Sequence, residues 1–136
     1  MKKLLFLLLF LPMISCDDSN LNNKNPNIPN YPFSETINIS LPAYSQLQYP
    51  SNGILYYGAF ATIIIFNTGS GYNAFDAFCP NQPIANCSTM TISGINAVCG
   101  CDNSEYSLFT GQSPGMEYPM KQYRVEVSQS TIRVYN

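Results

Sequence analysis

Apolar residues fall into three successive regimes along this chain. Every residue from Leu4 to Ile14 is apolar, a run of 11. From Asp17 to Tyr31 the chain instead carries Asn at 20, 22, 23, 25, 27 and 30, prolines at 26 and 29, and only Leu21 and Ile28 as aliphatic residues. Beyond residue 32, apolar and polar positions alternate in short stretches that turn residues separate, a period of two that belongs to half-buried strands. Thr36–Leu41 alternates in this way, and Pro42 and Pro50 confine the segment they bound to loop or edge. Asn52-Gly53 signals a turn into Ile54–Tyr57, and the continuous β-branched run within Ala61–Phe66 predicts a strand buried on both faces. Tyr72–Phe78, Thr89–Ile92, Ile95–Cys99, Tyr106–Phe109, Tyr123–Val127 and Thr131–Tyr135 complete the predicted strands, with Ser93-Gly94 and Ser128-Gln129-Ser130 as tight turns. No amphipathic helical stretch intervenes, so the expected fold class is all-β, an antiparallel sandwich or barrel.

The first regime has the order of an export signal: Met-Lys-Lys, an apolar stretch, then Ile14-Ser15-Cys16. Eleven residues are too few for a transmembrane helix, which takes about 20. Ile14-Ser15-Cys16 resembles the lipobox of bacterial lipoproteins, with Met13 where leucine is usual. That resemblance implies cleavage before Cys16, acylation of its thiol and attachment to a membrane of the bacterial envelope, with the outer membrane the expected one. The resulting division is a signal peptide over 1–15, a lipidated cysteine and flexible tether over 16–31, and one β domain over 32–136. The tether, which holds too little apolar surface to fold, has a coil reach on the order of 20 Å.

Composition narrows the partners. The chain after the signal carries four basic residues (Lys24, Lys121, Arg124, Arg133) against eight acidic ones, a formal charge of −4. There is no clustered Lys and Arg with which to hold phosphates, which excludes nucleic acid as a partner. Ten tyrosines and eight phenylalanines with no tryptophan suit a β-rich domain outside the cytoplasm. With no histidine anywhere, the chain lacks a Ser-His-Asp or Cys-His constellation and any imidazole metal site. Asp76 and Asp102, the one candidate carboxylate pair for glycoside hydrolysis, read better as solvated groups, and Gly69-Ser70-Gly71 reads as a hairpin turn with no helix to cradle a phosphate. The protein is not expected to be an enzyme.

Beside Cys16 there are four cysteines, at 79, 87, 99 and 101. An even number in an oxidising compartment implies two disulfides. Cys99 and Cys101, two apart on a strand, are too far from each other to pair, so each needs a partner at 79 or 87, and both such pairings remain open. The spacings C-x7-C and C-x-C are not those of a tetrathiolate zinc site, and no C-x-x-C redox motif occurs.

The same cysteines carry a resemblance. Cys79-Pro80-Asn81-Gln82 and Cys99-Gly100-Cys101-Asp102, with 17 residues between Asn81 and Cys99, are similar to the two cluster loops of the Rieske iron-sulfur domain. That family's pattern is C-x-H, about 15 to 17 residues, then C-x-x-H. Ala74–Phe78 before the first loop, Glu105–Gly111 after the second, and Pro119–Val127 as a closing strand match as well, so the resemblance runs from about Phe60 to Tyr135. It implies a Rieske-like fold and, taken alone, a [2Fe-2S] centre that transfers electrons. Asn81 and Asp102 stand at the two histidine positions, however. An amide is a poor iron ligand and a carboxylate suits harder ions, so no metal and no cofactor are expected.

Within this resemblance Cys87 and Cys101 correspond to a disulfide that braces the cluster loops of some Rieske domains. Without a cluster, Cys79 and Cys99 would face each other and join. Pairing Cys79 with Cys101 and Cys87 with Cys99 would use the same loops. The expected role is binding or structural, with a protein partner the sequence does not identify. A thiol-disulfide switch at Cys79 and Cys99 is a further reading, and it requires that bond to be exposed. Because the Cys16 thiol is the only acylation site, Cys16→Ser is expected to release the protein from the membrane fraction. Retention of a signal-cleaved Cys16→Ser protein in that fraction would refute the anchor.

Overall fold

The computed structural model describes residues 24–136; the signal, Cys16 and the first part of the tether lie outside the described residues. Within the described residues, nine strands form two antiparallel sheets. They are β1 (Ser34–Asn38), β2 (Gly53–Tyr57), β3 (Thr62–Asn67), β4 (Tyr72–Asp76), β5 (Thr91–Ser93), β6 (Asn96–Val98), β7 (Glu105–Ser107), β8 (Gln122–Ser128) and β9 (Thr131–Tyr135). The larger sheet runs β1-β9-β8-β4-β3-β2 and the smaller β5-β6-β7. The all-β antiparallel architecture is the one the alternating pattern predicts. A 3-10 helix over Pro42–Gln48, with proline in its first turn, occupies a stretch that reads as loop.

Strand β3 explains how the molecule is layered. Ile63 and Ile65 point into one core with Ile37, Leu47, Ile132 and Val134, while Ile64 and Phe66 point into a second with Phe75, Met90, Tyr106 and Leu108. All four side chains of this stretch are fully buried, so the β-branched run has no solvent face. β4 pairs with β3 along its length and with β8 at Ala74↔Tyr123 and Phe75↔Gln122.

Since β4 and β8 are neighbours, everything between them is one excursion from the main sheet. It leaves after Asp76 and returns at Lys121, where the Asp76 amide donates to the Lys121 carbonyl at 2.8 Å. The small sheet and all four domain cysteines lie on this excursion, which covers the second core. Gly111 closes it: its φ is +74°, and a Cβ there would meet the Phe75 ring at 2.8 Å.

The domain starts earlier than residue 32. Asn25 and Asn27 both donate to the Pro80 carbonyl, at 2.7 and 3.0 Å, and Ile28 is buried. Lys121 Nζ donates to the Pro29 carbonyl at 2.9 Å and to Asn30 Oδ1 at 2.8 Å, and Asn136 Nδ2 donates to Asn30 Oδ1 and the Tyr31 carbonyl. Residues 25–31, expected to be free tether, are therefore laid against the domain. Side-chain amides and a buried ammonium supply the attachment that apolar area does not.

Asp76 is another departure. The sequence reads it as solvated, yet it is buried at the end of β4 and accepts from the Tyr123 hydroxyl at 2.7 Å and the Phe78 amide at 2.8 Å. Burial raises its pKa above the usual carboxylate value, opposed by the Tyr123 and Phe78 bonds and by the charge of Lys121. A raised carboxyl contributes stability below its ordinary range, and that contribution is lost as pH rises through the raised value.

Two outcomes are expected at this corner. Tyr123→Phe removes a hydrogen bond that the ionised carboxylate needs most, and should cost about 2 kcal/mol at neutral pH in urea unfolding. The cost should shrink as the pH falls through the raised Asp76 value, and a loss independent of pH would contradict this account. Lys121→Met is expected to speed amide exchange over residues 25–31 about tenfold while leaving the β8–β9 hairpin protected, as read by hydrogen-exchange mass spectrometry.

Candidate functional site

Two hairpins on the excursion meet edge to edge. In the first, Cys79 donates its amide to the Ser88 carbonyl at 2.8 Å and Met90 donates to the Ala77 carbonyl at 2.7 Å, beside the bridge of Phe78 with Thr89. The loop of this hairpin holds Pro80, Asn81, Gln82 and Cys87. The second turns between β6 and β7, where Cys99 donates to the Ser104 carbonyl at 2.9 Å and Asn103 takes a φ of +59°. Asn is among the few non-glycine residues that adopt this conformation readily.

Cys79 is bonded to Cys99, with Cα atoms 5.5 Å apart, and Cys87 to Cys101, with Cα atoms 5.0 Å apart. Cys79 and Cys99 are buried in the second core, at 1% and 0% exposure, whereas Cys87 is exposed and Cys101 partly so. Gly100 sits between the bonded cysteines because the loops touch there. A Cβ at that position would lie 2.7 Å from the Cys87 carbonyl oxygen, which backbone cannot yield without moving the hairpin. The sulfurs of Cys79, Cys99 and Cys101 all lie within 4.8 Å of one another.

Asn81 and Asp102 are engaged in other ways than by ligation. The Asn81 amide nitrogen donates to the Tyr118 carbonyl at 2.7 Å and the Tyr106 hydroxyl at 2.9 Å, and its oxygen accepts from the Tyr118 amide at 2.8 Å. The side chain thus pairs with the Tyr118 backbone as a neighbouring strand would, and ties the first loop to the segment returning toward β8. Asp102 is exposed, and its Oδ1 accepts from the Ser104 amide at 2.9 Å and the Ser104 hydroxyl at 2.6 Å, closing the turn. Its other oxygen accepts from Gln82 Nε2 at 3.0 Å, which links the two loop tips. The Ser104 hydroxyl, and then its amide, hold the Asp102 carboxyl below the usual carboxylate range. Asp76 and Asp102 do not share a setting: one is buried against Tyr123, the other lies at a loop tip.

These donors do not fit a two-iron cluster. An iron-sulfur cluster is held by cysteine thiolates, and each of the four sulfurs is paired in a disulfide. The two positions that resemble histidine ligands hold an amide with both polar atoms in use and a turn-closing carboxylate.

Three parts of this site escape a reading of the sequence. The clasp of Asn81 on Tyr118 spans 37 residues and joins a side chain to a backbone, a contact no pattern in the chain marks. The attachment of Asn25 and Asn27 to Pro80 is equally silent. Tyr106, which reads only as strand, is fully buried and sends its hydroxyl to the foot of both loops, where Asn81 donates to it and the Ser104 hydroxyl oxygen lies 3.4 Å away.

No family model matches the chain, and no curated protein does. Solved structures are similar in fold. The quaternary ammonium Rieske monooxygenase CntA is matched over 66% of this chain and 29% of its own, at 17% identity and a TM-score of 0.51. The ferredoxin of Sphingomonas yanoikuyae B1 is matched over 67% and 93%, at 14% identity and a TM-score of 0.48. The ferredoxin of the carbazole 1,9a-dioxygenase of Nocardioides aromaticivorans IC177 is matched over 63% and 86%, at 15% identity and a TM-score of 0.45. The fold of this chain is Rieske-like: two packed antiparallel sheets whose excursion between β4 and β8 presents two cysteine-bearing loops.

Proposed function

We propose that this protein is a lipid-anchored module of the bacterial envelope in which a Rieske-like fold serves a binding or structural role without an iron-sulfur cluster. The hydrogen bonding of Asn81 carries this reading. At the position of a histidine ligand, both polar atoms of the side chain are spent on the Tyr118 backbone and the Tyr106 hydroxyl. Two disulfides hold the loops in the place of metal-ligand bonds. Non-catalytic display also agrees with the absence of histidine from the whole chain.

The anchor belongs to the same proposal. Acylation of Cys16 would tether the domain, and the outer membrane is the membrane we assign. Nine residues of chain lead from Cys16 to Asn25, which is fastened to Pro80 on the first loop, so the cysteine loops would lie within about 30 Å of the bilayer surface at full extension.

Electron transfer by an iron-sulfur cluster with unusual ligation is the competing reading, and the metal content decides between the two. The purified protein is expected to be colourless, free of iron and inorganic sulfide, and blocked to alkylation at all four domain cysteines. After reduction and anaerobic reconstitution with iron and sulfide the wild type should still take up no cluster, and Asn81→His with Asp102→His restores the missing imidazoles in the same experiment. A wild type that binds two irons with its native Asn81 and Asp102 would overturn the proposal.

A further inference from the structure

The two disulfides differ in access and are arranged from surface to core. Cys87 is exposed, Cys101 is partly buried, and the Cys79–Cys99 bond is closed to solvent at 1% and 0%. A protein reductant therefore has no direct route to the inner bond, which also removes the exposed-switch reading of Cys79 and Cys99. It does have one to the outer bond. The Cys101 sulfur lies within 4.8 Å of both sulfurs of the inner bond. Ser88, buried, accepts from the Ala85 amide and donates to the Pro83 carbonyl, and its hydroxyl oxygen lies 3.9 Å from the same Cys101 sulfur.

We propose that the four cysteines form a disulfide-exchange site for a dithiol partner, with Cys87 as the point of attack and Cys101 as the carrier to the core. One thiolate of the partner attacks Cys87 Sγ; the Cys87–Cys101 bond breaks and Cys101 leaves as a thiolate. The partner's second thiol then displaces Cys87 as a free thiol, so the partner leaves as its own disulfide, oxidised by two electrons. The Cys101 thiolate attacks Cys79 Sγ, forms a Cys79–Cys101 bond and expels Cys99 as a thiolate. The two protons given up by the partner end on Cys87 and Cys99, and the protein has gained the two electrons. Attack on Cys79 is favoured over Cys99 because Cys99 and Cys101 are two residues apart and pair poorly.

Exchange requires the disulfide state and thus rests on the reading without a cluster; iron and sulfide are assayed on the same preparation, so failure of that reading shows separately. The test uses dithiothreitol as the dithiol on the full chain, with limiting amounts, acid quenching, maleimide labelling under acidic denaturing conditions and peptide mapping. In molecules that have gained two electrons, Cys99 is expected to be labelled in at least about a tenth, together with Cys87 and a Cys79–Cys101 linked peptide. Label confined to Cys87 and Cys101, with Cys79–Cys99 intact at every time point, would overturn the proposal. Cys87→Ser gives a second measurement without reductant. Its unpaired thiol should distribute between Cys101 and Cys99 in the folded protein, and residence wholly on Cys101 argues decisively against exchange. Should that variant fail to fold, the wild-type map decides alone.

Discussion

The burial of β3 and β4 on both faces is the constraint on which the rest of the structure depends. Ile63 and Ile65 commit one face to the core under β1 and β9, and Ile64, Phe66 and Phe75 commit the other to whatever the chain can bring over it. A six-stranded sheet with a second apolar face must be covered, and the segment between Asp76 and Lys121 is the cover. Its strands are only three residues each, too short to hold themselves in place by pairing alone. Cross-links are what make so slight a sheet serviceable. The inner disulfide is part of the second core itself, and the outer one fastens the exposed arm of the first hairpin to the turn of the second.

The magnitudes suit this division of labour. Bonds that close sequence separations of 20 and 14 residues are worth roughly 3 kcal/mol each in the chain-entropy account. The Asn81 clasp adds three hydrogen bonds at a partly buried site, each worth about 1 kcal/mol. Against these, the exposed Gln82–Asp102 bond and the surface pair of Arg133 with Glu126 contribute little, because both partners are solvated. Loop geometry is thus set by covalent bonds and a partly buried amide.

Legibility in the sequence depends on which contacts leave a local trace. The period-two alternation of Tyr123–Val127 and Thr131–Tyr135 and the unbroken run at Ile63, Ile64 and Ile65 are properties of neighbouring residues, and the strands stand where those residues lie. The loop positions of Cys79 and Cys99 are equally legible, since spacing along the chain carries a motif. Their pairing is legible only through the resemblance, which implies the Cys79–Cys99 and Cys87–Cys101 bonds the structure has; spacing alone leaves two connectivities that use the same loops. The burial of Asp76 is hidden for a related reason: its donor, Tyr123, is 47 residues away and arrives only because β8 pairs with β4. At Pro42–Gln48, proline marks a break in strand character but does not distinguish a loop from a 3-10 turn.

The polar segment before residue 32 shows why composition bounds flexibility less firmly than it bounds a core. A stretch poor in apolar residues cannot fold on its own, yet it can dock on a surface that is already built and offers unmet acceptors and donors. Pro80 has a carbonyl free to accept because the first loop curls away from any strand, and Lys121 is buried where the excursion rejoins the sheet and needs oxygen acceptors. Both needs arise from the excursion, and residues 25–31 meet both. One segment therefore ties the N-terminal approach of the chain to the first cysteine loop at one end and to the root of β8 at the other. Any pull transmitted along the N-terminus reaches Pro80, next to Cys79 and Asn81, before it reaches the main sheet. Where the chain is held from its N-terminal side, the hydrogen bonds of Asn25, Asn27 and Lys121 therefore stand between that hold and the first cysteine loop.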